Sequence, residues 1–328
     1  MRGLQALLGD AIDYAGLFPP AALELDPAIR NFARYQAGPE NWILGRFVCP
    51  AARLRDLLAF RALFTAERPL RLSVLGRGGA DPATLLSGIE QDFRDVADFM
   101  TRLEAAARFE AFEVRVPAYA DEKTAADSLG AIGERLAHAG FGPVQLFAEA
   151  TLGPDWQTPI GTLIGGLAEH NRRYVRRIAE SLRPMPATPF AGFKLRTGGL
   201  EPASFPGCDQ VAHVIHECAT VHVPLKFTAG LHHPLRHFAP SVRTFMHGFL
   251  NVFVAGVLAG RPGFGPADVQ GVIEEQDLRD FAFDDGVSWN EARVTLDDIA
   301  YARQNRVISF GSCSVDEPLD DLRRMNLL

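Results

Sequence analysis

Residues 192–230, GFKLRTGGLEPASFPGCDQVAHVIHECATVHVPLKFTAG, contain one complete strand-helix-strand unit. A short apolar run at 192–195 precedes a stretch of helical periodicity at 207–220, and a second apolar run follows at 223–227. Two parallel strands joined by a crossover helix have this pattern and this length. The segment therefore predicts a parallel sheet.

The same alternation extends outward in both directions, which is typical of repeated βα units. The predicted strands are 11–14, 44–49, 70–75, 109–116, 144–148, 192–195, 223–227 and 307–310. The predicted helices are 27–37, 51–64, 82–107, 122–139, 161–182, 207–220 and 241–260. Eight strands favour a closed barrel over an open sheet, and the GxGxxG and GxxxxGK[ST] motifs of nucleotide-binding sheets do not occur. We predict an α/β protein with one (β/α)8 TIM barrel over 1–328.

One long segment, 261–305, separates the last predicted helix from the last predicted strand. Structureless loops longer than about 15 residues are uncommon in compact domains. We therefore predict an inserted helical subdomain or a lid at 261–305.

Composition and charge narrow the class of protein. The chain is 47% hydrophobic and 22% charged, with a net charge of -7 and no basic run, which argues against nucleic acid or an anionic membrane as a partner. The longest apolar segment, 245–259, is shorter than the roughly 20 residues of a membrane span, and no signal peptide is evident. Four cysteines without CxxC spacing favour reduced thiols. We expect a cytoplasmic protein that acts on a small molecule without a cofactor, either as a monomer or as a homo-oligomer.

Charged residues lie in or at the C-terminal ends of four consecutive predicted strands, where a buried parallel sheet normally carries aliphatic residues. They are Glu113, Arg115, Glu149, Lys194, Arg196 and Lys226. The C-terminal ends of the strands form the catalytic face of a barrel. These residues are therefore candidates for a common site, although ion pairs at the barrel rim would give the same pattern.

Lys194 and Lys226 are separated by about one βαβ unit, which predicts neighbouring strands about 4.8 Å apart. Two ammonium groups in one cavity would repel each other and lower the pKa of one lysine. The resulting neutral amine is the nucleophile of Schiff-base chemistry. The alternative is an anion clamp in which both lysines stay charged.

Glycine and hydroxyl residues follow three of the predicted strands, where backbone N–H groups could approach a phosphate or carboxylate. The candidate substrate-binding residues in these loops are Thr197, Gly198, Thr228, Gly230, Gly311, Ser312 and Ser314. Each loop alone is a weak signal, and the three together predict a rim that accepts an anion.

The order of five motifs resembles the class I deoxyribose-phosphate aldolase group of (β/α)8 barrels. The motifs are IDYAG at 12–16, FVCP at 47–50, FKLRTGG at 193–199, LKFTAG at 225–230 and FGSCS at 310–314. The resemblance implies that Lys194 forms the Schiff base and that Lys226 lowers its pKa. It also implies that Gly311, Ser312 and Ser314 lie on the phosphate side of the substrate.

The chain departs from this group at several positions. The aspartate of strand four is replaced by Glu113 and Arg115, and the histidine of strand one by Tyr14. Ala229 and Gly230 stand where the group has two glycines. For these reasons the resemblance does not imply deoxyribose phosphate as the substrate.

The sequence LHHPLRH follows the Lys226 strand and contains His232, His233 and His237. These histidines are candidates for substrate contact or acid-base work, for a metal site completed by a carboxylate, or for packing alone. No HExxH or HxH spacing is present, so we predict no metal ligand. Asp13 and Tyr14, on the first strand, are candidates for a substrate contact or for packing.

These observations together predict an enzyme, a carbon-carbon lyase of the class I aldolase type that acts on a small, anionic carbonyl compound. Arg115 and Arg196 would bind the anion, and Glu113 or Glu149 would move protons. The alternatives are a metal-dependent isomerase or hydrolase that uses His232 and His233, and a non-catalytic barrel that binds a metabolite.

Overall fold

The computed structural model describes residues 1–150, 155–180 and 190–328. In chain order the strands are β1 (Ile12–Tyr14), β2 (Leu44–Pro50), β3 (Leu70–Leu75), β4 (Ala107–Arg115), β5 (Gln145–Glu149), β6 (Gly192–Arg196), β7 (Leu225–Thr228), β8 (His237–Ala239), β9 (Thr244–Met246), β10 (Phe281–Ala282), β11 (Gly286–Trp289), β12 (Ala292–Thr295) and β13 (Val307–Ser312). The helices are α1 (Arg2–Leu8), α2 (Leu25–Ala37), α3 (Pro82–Leu103), α4 (Glu122–Ala139), α5 (Gln157–Glu180), α6 (Cys208–Thr220), α7 (Phe249–Leu258), α8 (Pro266–Glu274), α9 (Leu296–Asn305) and α10 (Asp316–Arg324).

Within the described ranges, eight strands form a closed barrel in the order β1-β13-β7-β6-β5-β4-β3-β2. The neighbouring strands whose register is defined pair in parallel. The predicted (β/α)8 class is confirmed, and each predicted barrel strand lies within two residues of an observed one at both ends. The apolar runs located these strands because a strand covered on both faces carries few polar residues.

The chain divides into two compact units. The first contains Met1–Glu24, Arg34–Gly45 and Leu195–Leu328, and the second contains Leu25–Ala33 and Arg46–Lys194.

In the second unit, local sequence determines where the helices begin. Asp81 accepts hydrogen bonds from the backbone N–H groups of Ala83 and Thr84, and Pro82 occupies the first turn of α3. Asp121 caps α4 through the N–H of Thr124. The predicted helix at 51–64 is a 3-10 helix over Ala51–Leu63. The predicted helix at 161–182 is observed as α5, and its residues 181 and 182 lie outside the described part of the chain.

In the first unit, the predicted helix at 241–260 is wrong in its first half. Strands β8 and β9 pair antiparallel there, and α7 begins only after Gly248. The alternation within three-residue strands is too short to be distinguished from helical periodicity.

The insertion at 261–305 is not wholly helical, which corrects the prediction. It contains α8 and α9, and between them a three-stranded antiparallel sheet of β10, β11 and β12. Strand β11 and helix α9 pack against α1, the helix that directly precedes β1. Since barrel catalytic sites lie at the opposite, C-terminal ends of the strands, this packing does not support a lid. Among the helices of the described ranges, none combines the length and apolar character that a membrane crossing requires.

Candidate active site

Lys194 occupies the third position of β6, in the second unit, and its residue is only 4% exposed. Its Nζ lies 2.8 Å from Glu113 Oε2 and 2.8 Å from Glu149 Oε2. Glu149 is the direct register partner of Lys194 on β5, and Glu113 comes from β4. The predicted convergence of these three charged residues is therefore observed.

The two carboxylates have different surroundings. Glu113 is almost fully buried and accepts a hydrogen bond from the hydroxyl of Ser73 on β3. Glu149 lies at the end of β5, with one Oε1–Nη2 contact of 3.5 Å to Arg115, whose side chain is 62% exposed. A buried hydroxyl donor stabilises the ionised form of a carboxylate, whereas an exposed ion pair does so weakly.

The pKa of Lys194 is shifted upward, whereas the sequence analysis predicted a downward shift. Burial alone would lower the pKa, but the charges of Glu113 and Glu149, and the hydrogen bonds to them, raise it above its ordinary value. The expected neutral amine is therefore wrong for the resting protein. The like-charge argument considered only the second lysine and omitted two carboxylates beside the amine.

Lys226 lies on β7 in the first unit and is as deeply buried as Lys194. Its ammonium donates to Asp13 Oδ2, and the hydroxyl of Ser309 donates to the same oxygen at 2.7 Å. A Cβ at Gly45 would lie 2.5 Å from Asp13 Oδ1, so the glycine leaves space for this carboxylate. Asp13, predicted as a possible substrate contact, is 0% exposed and forms a buried ion pair.

The loops after β6 and β7 touch through their glycines. A Cβ at Gly198 would lie 2.8 Å from Gly230 Cα, and Gly230 adopts a φ of +75°. The Thr197 hydroxyl donates to Ala229 O at 2.6 Å, while Thr228 O accepts from the Thr197 N–H at 2.8 Å. These contacts explain why glycine and threonine occur here, independently of any anion.

We expect Gly198→Ala to lower the free energy of unfolding by about 1–3 kcal/mol, because the added methyl group would force the two loops apart. The matched control is Gly130→Ala in α4, where no atom lies within 4 Å of the new Cβ. That change should raise stability by roughly 0.5–1 kcal/mol. Urea unfolding measures the stability of both variants. Equal changes in the free energy of unfolding would contradict the close approach of the two loops.

The loop after β13 is ordered by its own hydroxyl groups. Ser312 Oγ donates to Ser314 O at 2.6 Å, and Ser314 Oγ accepts from the N–H of Glu317 at 3.1 Å, in the first turn of α10. Gly311 is in register with Thr228, and a Cβ there would lie 3.2 Å from its Oγ1. The predicted phosphate-side residues thus connect β13 to the start of a helix.

The histidine loop pairs with α10. Nδ1 of His232 lies 3.2 Å from Glu317 Oε2 and 3.9 Å from the sulfur of Cys313. His233 Nδ1 pairs with Asp321, and its ring contacts that of His237 edge-on at 4.5 Å. Within residues 1–150, 155–180 and 190–328, no group of three or more His, Cys, Asp or Glu residues could hold a metal ion.

The remaining candidates lie at the ends of strands. Arg196 ends β6 with an exposed side chain, whose Nη1 lies 3.5 Å from Gly198 O. Tyr14 is buried, and its ring packs edge-on against Tyr35 at 5.4 Å. Tyr14 therefore fulfils the packing alternative.

Sequence reasoning missed Ser73 and Ser309, which donate hydrogen bonds to Glu113 and Asp13. A serine inside each apolar strand was the available signal, because a buried hydroxyl requires a partner. It also missed the contact of Cys313 with His232, which no local pattern predicts.

Fold and site together define a (β/α)8 barrel with two buried lysine-carboxylate groups. No protein-family model, curated protein or solved structure matches this chain. The resemblance to the deoxyribose-phosphate aldolase group rests on the quoted motifs, and the structure agrees with it at the level of the barrel.

Proposed function

We propose that this chain is a class I aldolase-type lyase that forms a Schiff base between Lys194 and a small, anionic carbonyl compound. The observation that carries the proposal is the amine of Lys194, which is 4% exposed and lies 2.8 Å from each of two buried carboxylates. Schiff-base chemistry requires an amine and a group that removes and returns protons. The motif resemblance supports the same lysine.

In the proposed reaction, binding of the carbonyl compound moves a proton from the Lys194 ammonium to a neighbouring carboxylate. The neutral Nζ attacks the carbonyl carbon, and a proton passes from nitrogen to oxygen to give a carbinolamine. The carboxylic acid then protonates the hydroxyl group, which leaves as water, and the nitrogen lone pair forms the C=N bond. A carboxylate then removes the proton of the hydroxyl group on the β-carbon, the bond between the α- and β-carbons breaks, and the β-carbon leaves as an aldehyde. The electron pair of the broken bond passes to the iminium to form an enamine on Lys194, which takes a proton at the α-carbon and is hydrolysed to release the second product and the free amine.

The surroundings of the two carboxylates suggest separate roles. Glu113 accepts from Ser73, which favours its ionised form, so we assign it as the permanent counterion. Glu149, at the end of β5, also pairs with Arg115, whose side chain is largely exposed. An exposed ion pair stabilises the ionised carboxylate only weakly, so we assign Glu149 as the proton carrier.

The charges argue against a simple anion clamp at Lys194. One ammonium and two carboxylates give this group a formal charge of -1, which repels an anion. We assign the anionic end of the substrate to the exposed guanidinium group of Arg115, which lies 3.5 Å from Glu149. The electrophilic carbon would then face the amine.

Reductive trapping tests the proposal directly, because the chain contains only three lysines, Lys123, Lys194 and Lys226. The protein is incubated with a panel of aldehydes and keto acids, reduced with borohydride, and examined by intact mass and peptide mapping. We expect one saturable adduct, on Lys194. Lys123, whose side chain is 78% exposed, reports nonspecific reaction in the same sample. Modification of Lys123 alone, or of Lys226 in place of Lys194, would contradict the proposal.

The pH dependence of trapping tests the internal proton transfer. Since the pKa of Lys194 is raised, fewer than roughly one molecule in a thousand holds a neutral amine at pH 7. If that amine formed by losing its proton to solvent, the trapping rate would rise about tenfold per pH unit. Transfer to Glu149 leaves the number of bound protons unchanged, so we expect less than about a threefold change between pH 6.5 and 8.5. A tenfold rise in the trapping rate at Lys194 per pH unit would exclude the internal transfer.

A further inference from the structure

We propose that Cys313 is a modification site, a thiol that hydrogen peroxide oxidises to a sulfenic acid with the help of His232. This inference is independent of the proposed lyase activity, because it rests on residues of the histidine loop and of α10. It concerns the loop that follows β13, where Cys313 lies between Ser312 and the start of α10.

Three side chains form the site. The sulfur of Cys313 lies 3.9 Å from Nδ1 of His232, and Oε2 of Glu317 lies 3.2 Å from the same nitrogen. The imidazole is largely buried, whereas the side chain of Glu317 is 44% exposed. Cys313 also precedes the N-terminus of a nine-residue helix, where the helix dipole favours negative charge. A cation and a helix N-terminus are the surroundings typical of reactive cysteines.

The charge of His232 supports this arrangement. Burial would lower the pKa of His232, but hydrogen bonds to Cys313 and Glu317, and the negative charge of Glu317, raise it to about 9. His233 lies 3.9 Å from Glu317 and pairs with Asp321. His232 is therefore an imidazolium at neutral pH, and an imidazolium beside a thiol favours the thiolate, which is the nucleophile.

Burial raises the pKa of the other three cysteines, and at Cys208 it outweighs the opposing effect of the nearby Arg236 guanidinium. Burial raises the pKa of Cys49 to about 12 and that of Cys218 well above its ordinary value. Burial also raises the pKa of Cys208, although Cys208 is half-buried and more exposed than Cys313 at 8%. Exposure alone thus predicts Cys208 as the most reactive of these thiols, whereas the contact with His232 and the nearby helix N-terminus predict Cys313.

The oxidation balances with hydrogen peroxide as the only added reactant. The thiolate of Cys313 attacks one peroxide oxygen, so that an S–O bond forms and the O–O bond breaks. Sulfur is oxidised by two electrons and the peroxide is reduced. The departing hydroxide takes the proton of the His232 imidazolium and leaves as water, which gives a sulfenic acid beside a neutral imidazole.

The experiment compares cysteines within the same folded protein. The full chain is treated at pH 7 with hydrogen peroxide and dimedone, or with iodoacetamide, and the rate at each cysteine is read by peptide mass spectrometry. We expect Cys313 to react at least about tenfold faster than Cys208 with both reagents. Faster labelling of Cys208, or the absence of a dimedone adduct on Cys313, would overturn the proposal.

Two variants test the role of the imidazolium. His232→Gln should slow labelling of Cys313 about tenfold and leave the rate at Cys208 unchanged. Glu317→Gln, at an exposed carboxylate, removes one cause of the raised pKa of His232 and should slow Cys313 at pH 8.5 more than at pH 6.5. This second variant keeps the test valid if the first does not fold. Unchanged rates at Cys313 in the folded variants would show that the thiol is not activated by His232.

Discussion

Replacement of Lys194 by methionine should abolish the trapped adduct and lower the proposed lyase activity at least about a thousandfold, because it removes the proposed nucleophile. Methionine has a similar length but neither charge nor nucleophile. The change also removes the Lys194 ammonium from its buried ion pairs with Glu113 and Glu149, which should cost about 3–5 kcal/mol of stability. The measurement is therefore made on protein whose fold has been verified by circular dichroism and urea unfolding.

Lys194→Arg is the matched control for that loss of charge. A guanidinium group can pair with both carboxylates but stays protonated at every accessible pH, so it forms no Schiff base. We expect a folded protein without an adduct. If the arginine variant retained lyase activity, the role of Lys194 would be electrostatic. If the methionine variant retained the adduct, another amine would be the nucleophile.

The second large effect concerns stability. Lys226→Met should lower the free energy of unfolding by about 3–5 kcal/mol, because it removes the cation from an ion pair with Asp13, a residue that is 0% exposed. The hydroxyl of Ser309 would still donate to Asp13 but supplies no positive charge. Urea unfolding at pH 7 measures the change through the midpoint and slope.

Two controls separate this ion pair from a general effect of losing a lysine. Lys123→Met removes an exposed partner of Asp127 and should change stability by less than about 1 kcal/mol. The double variant Asp13→Asn with Lys226→Met should lose less stability than the two single variants lose together, because both charges of the ion pair are removed. A Lys226→Met effect as small as that of Lys123→Met would contradict a buried charge pair.

Some features of the candidate site could be predicted from single strands. A lysine or glutamate inside an apolar run must be paired when buried, so Glu113, Glu149 and Lys194 were identifiable as residues with a special environment. Their alternation along β4, β5 and β6 also predicted which side chains share a face. The sequence predicted a common site for six charged residues, and three of them, Glu113, Glu149 and Lys194, meet in the structure.

Other features could not be predicted, because they depend on residues distant in sequence. Asp13 and Lys226 are 213 positions apart, and Asp13 and Ser309 are 296 positions apart. Spacing within one βαβ unit relates Lys226 to its neighbours along the chain and contains no information about Asp13. The two small sheets, β8-β9 and β10-β12, were missed because two to four residues do not define a period.

The sequence by itself determined the barrel, since eight apolar runs of strand length separated by helical segments leave few other ways to bury a parallel sheet. Only the tertiary structure decided the charge state of the central amine. The direction of a pKa shift depends on the balance between burial and every charge within a few ångströms, and that balance is set by which strands become neighbours. Two carboxylates from β4 and β5 raise the pKa of Lys194, where reasoning from two lysines alone predicted that it would fall.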